Sequence, residues 1–167
     1  VNPLMKKLYG VDSMPETVEN VAEEFGVSRV DQDAFALRSQ EKAARAQRSG
    51  RLGLEIAPFS IPQRKGDPVV FDHDEGIRAE TTVESLGKLR PAFDKEGTIT
   101  AGTASQISDG ACAMVIMSKE KAEELGLTPL AEIVAHGNVA GPDNPSLHAQ
   151  PAQAIEQALK KAELSAS

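Results

Sequence analysis

Apolar and polar positions fall along this chain in two textures that change near residue 107. In the first, residues 16–24 have helical character after Pro15, and Gly26 stops them. A stronger helix is predicted next. Ser28-Arg29-Val30-Asp31 can act as a capping box, and Gln32, Phe35, Ala36, Ser39, Ala43 and Ala46 recur at helical spacing until Gly50. Leu54, Ile56 and Ile61 suggest a strand with Phe59 out of strict alternation, and residues 69–71 suggest a second. Between them, Pro62-Gln-Arg-Lys-Gly-Asp-Pro68 is turn chemistry, because proline fixes its backbone and glycine permits positive φ. Residues 81–89 predict a short helix ended by Pro91. The whole stretch reads as an irregular α+β region rich in loops.

The second texture is more regular. Residues 112–117 form a continuous apolar run, as expected of a strand buried on both faces, and Ser118 then caps a helix that Gly126 ends. After Pro129, residues 130–139 alternate as a strand. A Gly/Pro/Asn loop follows, then a helix over about 151–164 with Ala154, Ile155, Ala158 and Leu159 on one face. Strand and helix in alternation imply an α/β sheet. No internal repeat is evident.

Composition narrows the function classes. The 167 residues are 40% apolar and 26% charged, near the globular average, which argues against global disorder. A net charge of -7 gives no global basic footprint, so no nucleic-acid partner is expected. The longest apolar run, residues 111–117, falls far short of the roughly 20 residues of a membrane span, and no signal peptide is visible, so no membrane partner is expected. A single cysteine forms no internal disulfide, which permits a reducing, cytoplasmic compartment.

The most specific stretch is Lys88-Leu-Arg-Pro-Ala-Phe-Asp-Lys-Glu-Gly-Thr-Ile-Thr-Ala-Gly-Thr-Ala-Ser-Gln-Ile-Ser-Asp-Gly-Ala111. It resembles the pantetheine-loop signature of the thiolases. The resemblance extends to Val18-Glu-Asn-Val-Ala-Glu-Glu-Phe25, to residues 28–38 and to Ile61-Pro-Gln-Arg-Lys-Gly-Asp-Pro68. It implies an α/β thiolase-like fold: residues 1–107 as the loop domain that covers coenzyme A, 108–126 as the last strand and helix of the N-terminal half, and 127–167 as the start of the C-terminal half. The nucleophilic cysteine motif that lies upstream in that family is missing here. So are the Asn-Glu-Ala-Phe, Gly-His-Pro and Cys-x-Gly motifs that lie downstream, and Val1-Asn2-Pro3 and Ser165-Ala166-Ser167 look like cut ends. The expectation is the central part of an acyltransferase, closest to the degradative or acetoacetyl type, inactive by itself. The complete enzyme would exchange an acyl group between a 3-ketoacyl or acetoacetyl thioester and coenzyme A, with fatty acid β-oxidation as its setting and a low-pKa cysteine as nucleophile. It would hold no tight cofactor, take coenzyme A and acyl-CoA thioesters as partners and form a homo-oligomer, a dimer or tetramer. Two alternatives stay open: a non-catalytic coenzyme A or acyl-CoA binding module, and a structural interaction domain.

By resemblance, Arg78 and Ser85 meet the adenosine phosphate end of coenzyme A, where a guanidinium pairs with phosphate and stacks on a ring. The competing reading is that Arg78 serves the acidic run at residues 72–75. Phe93, Ala101 and Ser105 match positions around the pantetheine arm, whose tunnel needs apolar walls, small side chains and a few oriented polar groups. Core packing is the other reading of Phe93. Gly102-Thr103-Ala104-Ser105-Gln106 is not a nucleophile elbow, so Ser105 is read as a hydrogen-bonding group. Many thiolases carry Asn where Thr103 stands, and often His where Ser13 stands. Met14 matches a methionine near the acyl pocket, and His148 lies in a loop that faces the reaction pocket; both are candidate substrate-pocket residues, with an ordinary loop histidine as the alternative for His148. Cys112 is expected to be a buried packing thiol, Asp72-His73-Asp74-Glu75 a solvated loop with no metal, and His136 structural.

Overall fold

The computed structural model describes residues 2–141 and 147–166. Most of the expected Gly/Pro/Asn loop, residues 142–146, lies outside them. Helix α1 spans Pro3–Tyr9, α2 Met14–Glu24 and α3 Arg29–Arg48, followed by a 3-10 turn at Leu52–Leu54. Strands β1 (Phe59–Ile61) and β2 (Val69–Phe71) precede α4 (Val83–Gly87), α5 (Lys119–Glu124), a second 3-10 turn (Leu147–Ala149) and α6 (Gln150–Ala162). The described structure divides into two units, one of Ala22–Gln106 and one of Val1–Val21 with Ile107–Ser167.

In the unit of Ala22–Gln106, α3 is the organising element. Ser28 caps it: its hydroxyl accepts from Asp31 N at 3.2 Å and donates to the Asp31 carboxylate at 2.6 Å. Gly50, at φ +77°, closes its far end, with Arg51 N donating to Ala46 O at 3.0 Å. Its inward face carries Asp33, Leu37, Gln40 and Ala44, offset from the expected stripe. Phe35, expected on that stripe, is exposed, with the Arg38 guanidinium 4.9 Å from its ring centroid.

Polar side chains on α3 hold the loops. Arg29 bonds Asp33 Oδ2 at 2.9 Å and reaches the carbonyls of Leu86 at 2.8 Å and Leu89 at 3.0 Å, adding side-chain donors at the end of α4, where Leu86 O also accepts from Leu89 N at 2.9 Å. Leu86, Ile99 and Ala44 are buried; full burial of a leucine side chain contributes about 1.5–3 kcal/mol. Thr82 and Ser85 form a reciprocal capping box at the start of α4, shorter than the expected helix over 81–89. The hairpin pairs Phe59 with Phe71, Ser60 with Val70 and Ile61 with Val69, and Gly66 in its loop has φ +86°. The expected first strand thus begins at Phe59, and Leu54 lies in the 3-10 turn instead.

In the other unit the expected helices form and the expected strands do not. Ser118 caps α5, and Gly126 at φ +67° ends it, with Leu127 N on Ala122 O at 2.9 Å. Residues 112–117 and 130–139, expected as strands, belong to no strand, and Val115 is 87% and Ile116 72% exposed. A strand is defined by the neighbour that takes its N–H and C=O groups, and the described residues supply none. Cys112, expected to be buried in that strand, is an exposed free thiol. Helix α1, which the sequence pattern did not predict, starts from Asn2, whose side chain accepts from Leu4 N at 2.9 Å, with Pro3 at the first helical position.

Candidate functional site

Two places gather the residues singled out by sequence. The first is an open groove of about 350 Å³ lined by Met14, Gly137, Asn138, Val139, His148 and Ala154, among others. Helix α6 builds one wall. Gln157 Oε1 accepts from Asn138 N at 2.7 Å, and Lys161 Nζ donates to His136 O at 2.9 Å. That places the backbone of Gly137 against the helix so closely that a Cβ there would lie 1.8 Å from Ala154 O. His136 thus contributes its carbonyl to the docking of α6, and its side chain is exposed.

Met14 opens α2, and the same turn supplies Thr17. The Thr17 hydroxyl donates to Met14 O at 2.8 Å and lies 3.3 Å from His148 Nδ1. Sequence reasoning named Met14 and His148 and missed Thr17; its partner is 131 positions away, so no local pattern marks it. Ser13, beside Met14, donates its backbone N–H to Glu16 Oε2 at 2.5 Å, and that bond with the Ser13 side chain holds the Glu16 carboxyl below its usual range.

The second place is the segment from residue 72 to 106. Thr100, fully buried, anchors a turn: its carbonyl accepts from Thr103 N at 3.1 Å and Ala104 N at 2.9 Å, and its hydroxyl from Gly102 N at 3.1 Å. Thr103 answers with its hydroxyl, which accepts from Thr100 N at 3.0 Å. The turn leaves Ala101 and Ser105 exposed. At Gly102 a Cβ would lie 2.5 Å from Leu86 Cδ2 and 2.9 Å from Leu89 Cδ1, so the turn adjoins α4, which carries Ser85. The Ser85 hydroxyl donates to Thr82 O at 2.8 Å and accepts from Thr82 N at 3.0 Å, leaving one lone pair for another partner. Phe93 is half-exposed on the strip between α4 and the turn.

Arg78 is exposed, and its backbone is fixed by α3 through a 2.8 Å bond from its N–H to Gln40 Oε1. One guanidinium N–H group is used on Glu75 O at 2.8 Å, so the contact with the acidic run is to a carbonyl. Gln47 Nε2 donates to Asp74 O at 3.1 Å, and Gln106 Nε2 to Gly76 O at 3.4 Å, tying the segment that bears Ser105 to the loop that bears Arg78. Sequence reasoning passed over Gln40, Gln47 and Gln106. The readable signal was two glutamines seven positions apart on a helix, a spacing that returns to one face.

Residues 4–120 match the family described as the thiolase N-terminal domain. The chain belongs to the thiolase family. It is 61% identical over 134 residues to a probable acetyl-CoA acetyltransferase of Mycolicibacterium smegmatis, covering 80% of this chain and 34% of that protein. Against the beta-ketoadipyl-CoA thiolase of Acinetobacter baylyi it is 49% identical over 98% of its own length and 41% of the other's. The chain therefore spans 34% to 41% of the length of these curated relatives. Among solved structures it resembles the Bacillus anthracis acetyl-CoA acetyltransferase, with TM-score 0.81 and 45% identity over 91% of this chain and 38% of that one. Human mitochondrial 3-ketoacyl-CoA thiolase gives TM-score 0.77 at 40% identity over 89% and 37%.

The fold class is thus the α/β thiolase fold, of which this chain is a part. In this thiolase chain the acidic run is local: His73 Nδ1 pairs with Asp72 Oδ1 at 2.9 Å, which raises the His73 pKa above 6.5, and the ring stacks on Phe71 at 6.1 Å. Among the described residues no helix is long and apolar enough to cross a membrane.

Proposed function

We propose that this chain is the central part of a thiolase whose complete form transfers an acyl group between a 3-ketoacyl or acetoacetyl thioester and coenzyme A. The observation that carries the reading is likeness to an acetyl-CoA acetyltransferase over 91% of the chain at 45% identity. Residues 1–107 are assigned as the coenzyme A-covering loop domain, 108–126 as the end of the N-terminal half and 127–167 as the opening of the C-terminal half. The strands expected at 112–117 and 130–139 would then pair with segments supplied by the rest of the enzyme.

Within this reading Arg78 and Ser85 take the adenosine phosphate end of coenzyme A. Phe93, Ala101 and Ser105 take the pantetheine arm, while Met14 and His148 flank the acyl group. Support comes from the exposure of Ala101 and Ser105 on a turn fixed by Thr100, and from the shared groove of Met14 and His148. A preorganised turn presents its outward groups without further loss of backbone entropy on binding. No catalytic residue is assigned within these 167 residues. The nucleophile and the acid/base groups belong to the complete enzyme, which is read as a cytoplasmic homo-oligomer with coenzyme A as substrate and no tightly held cofactor.

The test is thiolysis of acetoacetyl-CoA by the complete protein, followed by loss of substrate absorbance on addition of free coenzyme A. Turnover by the complete protein and none by the 167-residue chain is the expected result. A complete protein that binds coenzyme A without turnover of any 3-ketoacyl thioester overturns it in favour of a binding module.

A further inference from the structure

We propose that Thr17 is a positioning residue for His148, fixing its neutral ring with the proton on Nδ1 and the lone pair on Nε2. Thr17 is buried in α2, so its hydroxyl has little access to water. A hydroxyl has one proton to give. That proton goes to Met14 O, 2.8 Å away within the same helix turn. In its other contact, 3.3 Å from His148 Nδ1, the threonine oxygen must therefore accept. Nδ1 then carries the hydrogen, and a neutral imidazole with Nδ1–H presents Nε2 as an acceptor. Free neutral histidine in water favours the opposite tautomer, so the contact has a directional consequence.

The consequence deepens the reading of this groove as the acyl-substrate site and rests on it. Met14, Val139, Pro151 and Ala154 give the groove apolar walls, with Asn138 and Gln150 beside them. An Nε2 acceptor at its edge favours a thioester whose acyl tail carries a hydrogen-bond donor, such as a hydroxyl, over a plain alkyl tail. Neither α2 nor residues 147–149 would show this separately, since the pair joins positions 17 and 148.

The test has two arms on the complete protein. Nitrogen-15 NMR of labelled histidine, at a pH where the ring is neutral, reads the tautomer directly, with His148→Ala assigning the signal. Wild type and Thr17→Ser are expected to show Nδ1 protonated, and Thr17→Val to revert to Nε2–H. Predominant Nε2–H in wild type, or a spectrum unmoved by Thr17→Val, overturns the proposal. The second arm compares kcat/KM for a hydroxylated thioester and its unsubstituted counterpart of equal length. Thr17→Val should lower the ratio about 2- to 10-fold, the worth of one neutral hydrogen bond, with Thr17→Ser restoring it. An equal loss on both substrates overturns the specificity. Absence of any thioester turnover would instead defeat the thiolase reading and leave the NMR result to decide the tautomer.

Discussion

Gly137 is the residue on which the groove most depends. Its missing side chain lets the 136–139 segment run against α6, where a Cβ would fall 1.8 Å from Ala154 O and 2.6 Å from Ala154 C. Backbone cannot yield as a flexible side chain can, so Gly137→Ala should cost at least the about 1–3 kcal/mol typical of overpacking. Gly53→Ala, with nothing within 4 Å of the added carbon, is the matched control. Urea denaturation of the two variants checks this; equal midpoints would mean that α6 does not rest on that segment. At this scale the sequence was legible where chemistry is local, as at the Ser28 cap, and the groove shared by Met14 and His148 is a placement that the family resemblance suggested as a site. It was silent where a role depends on a distant partner. Thr17 looks like any helix-start threonine, and Gly137 looks like a loop glycine until the helix against it is known.

Among the elements, α3 carries the largest polar load. Arg29 joins Asp33 to the carbonyls of Leu86 and Leu89, and Asp33 is buried with its Oδ1 lacking a hydrogen-bond partner. Arg29→Ala should destabilise by about 1.5–3 kcal/mol, the usual cost of losing hydrogen bonds to a charged group. The double variant Arg29→Ala/Asp33→Ala should recover part of that loss, because the stranded carboxylate goes too. Chemical denaturation of the three variants measures it, and full additivity would deny the coupling. Helix starts give a second expectation. Glu16 is held below 4.5 by bonds to Ser13, Glu84 by its own N–H and Thr82, and Glu120 by its own N–H and Ser118. A carboxyl whose folded pKa is depressed supports the fold fully above pH 4.5 and loses that support as pH falls through the folded value. Far-UV circular dichroism should hold from pH 7 to about 5 and lose helical signal below 4.5, less so in the Glu84→Gln/Glu120→Gln variant. Helices α3 and α5 were legible because caps and glycine stops are local signals: Ser28, Gly50, Ser118 and Gly126 all lie where the pattern put them. Strands at 112–117 and 130–139 were not, because apolar patterning reports a preference for burial and the neighbour that realises it is a tertiary fact.

For the whole molecule, the exposed apolar run at Met114, Val115 and Ile116 and the exposed Leu130, Ile133 and Val134 mark surface that a stable soluble protein rarely leaves open. The 167-residue chain alone should therefore form polydisperse aggregates and bind a hydrophobic dye, and the complete protein should sediment as one defined homo-oligomer and stay dye-silent at the same concentration. Sedimentation of both would show it; a monodisperse, dye-silent chain would contradict the idea that these segments await partners. The family was readable from the 88–111 stretch because that turn is built from short-range bonds, Thr100 to Thr103 and Ala104, which need particular small residues in a fixed order. On the function proposed above, this chain supplies the coenzyme A cover of a thiolase. The most direct test of that claim is calorimetric titration of coenzyme A into the complete protein and into its Arg78→Ala and Ser105→Ala variants at two ionic strengths. Arg78→Ala should weaken binding most, and more at low salt, since an exposed charge-assisted contact to an anion is screened. Ser105→Ala should cost about 0.5–1.5 kcal/mol. Unchanged affinity in both variants would contradict the claim.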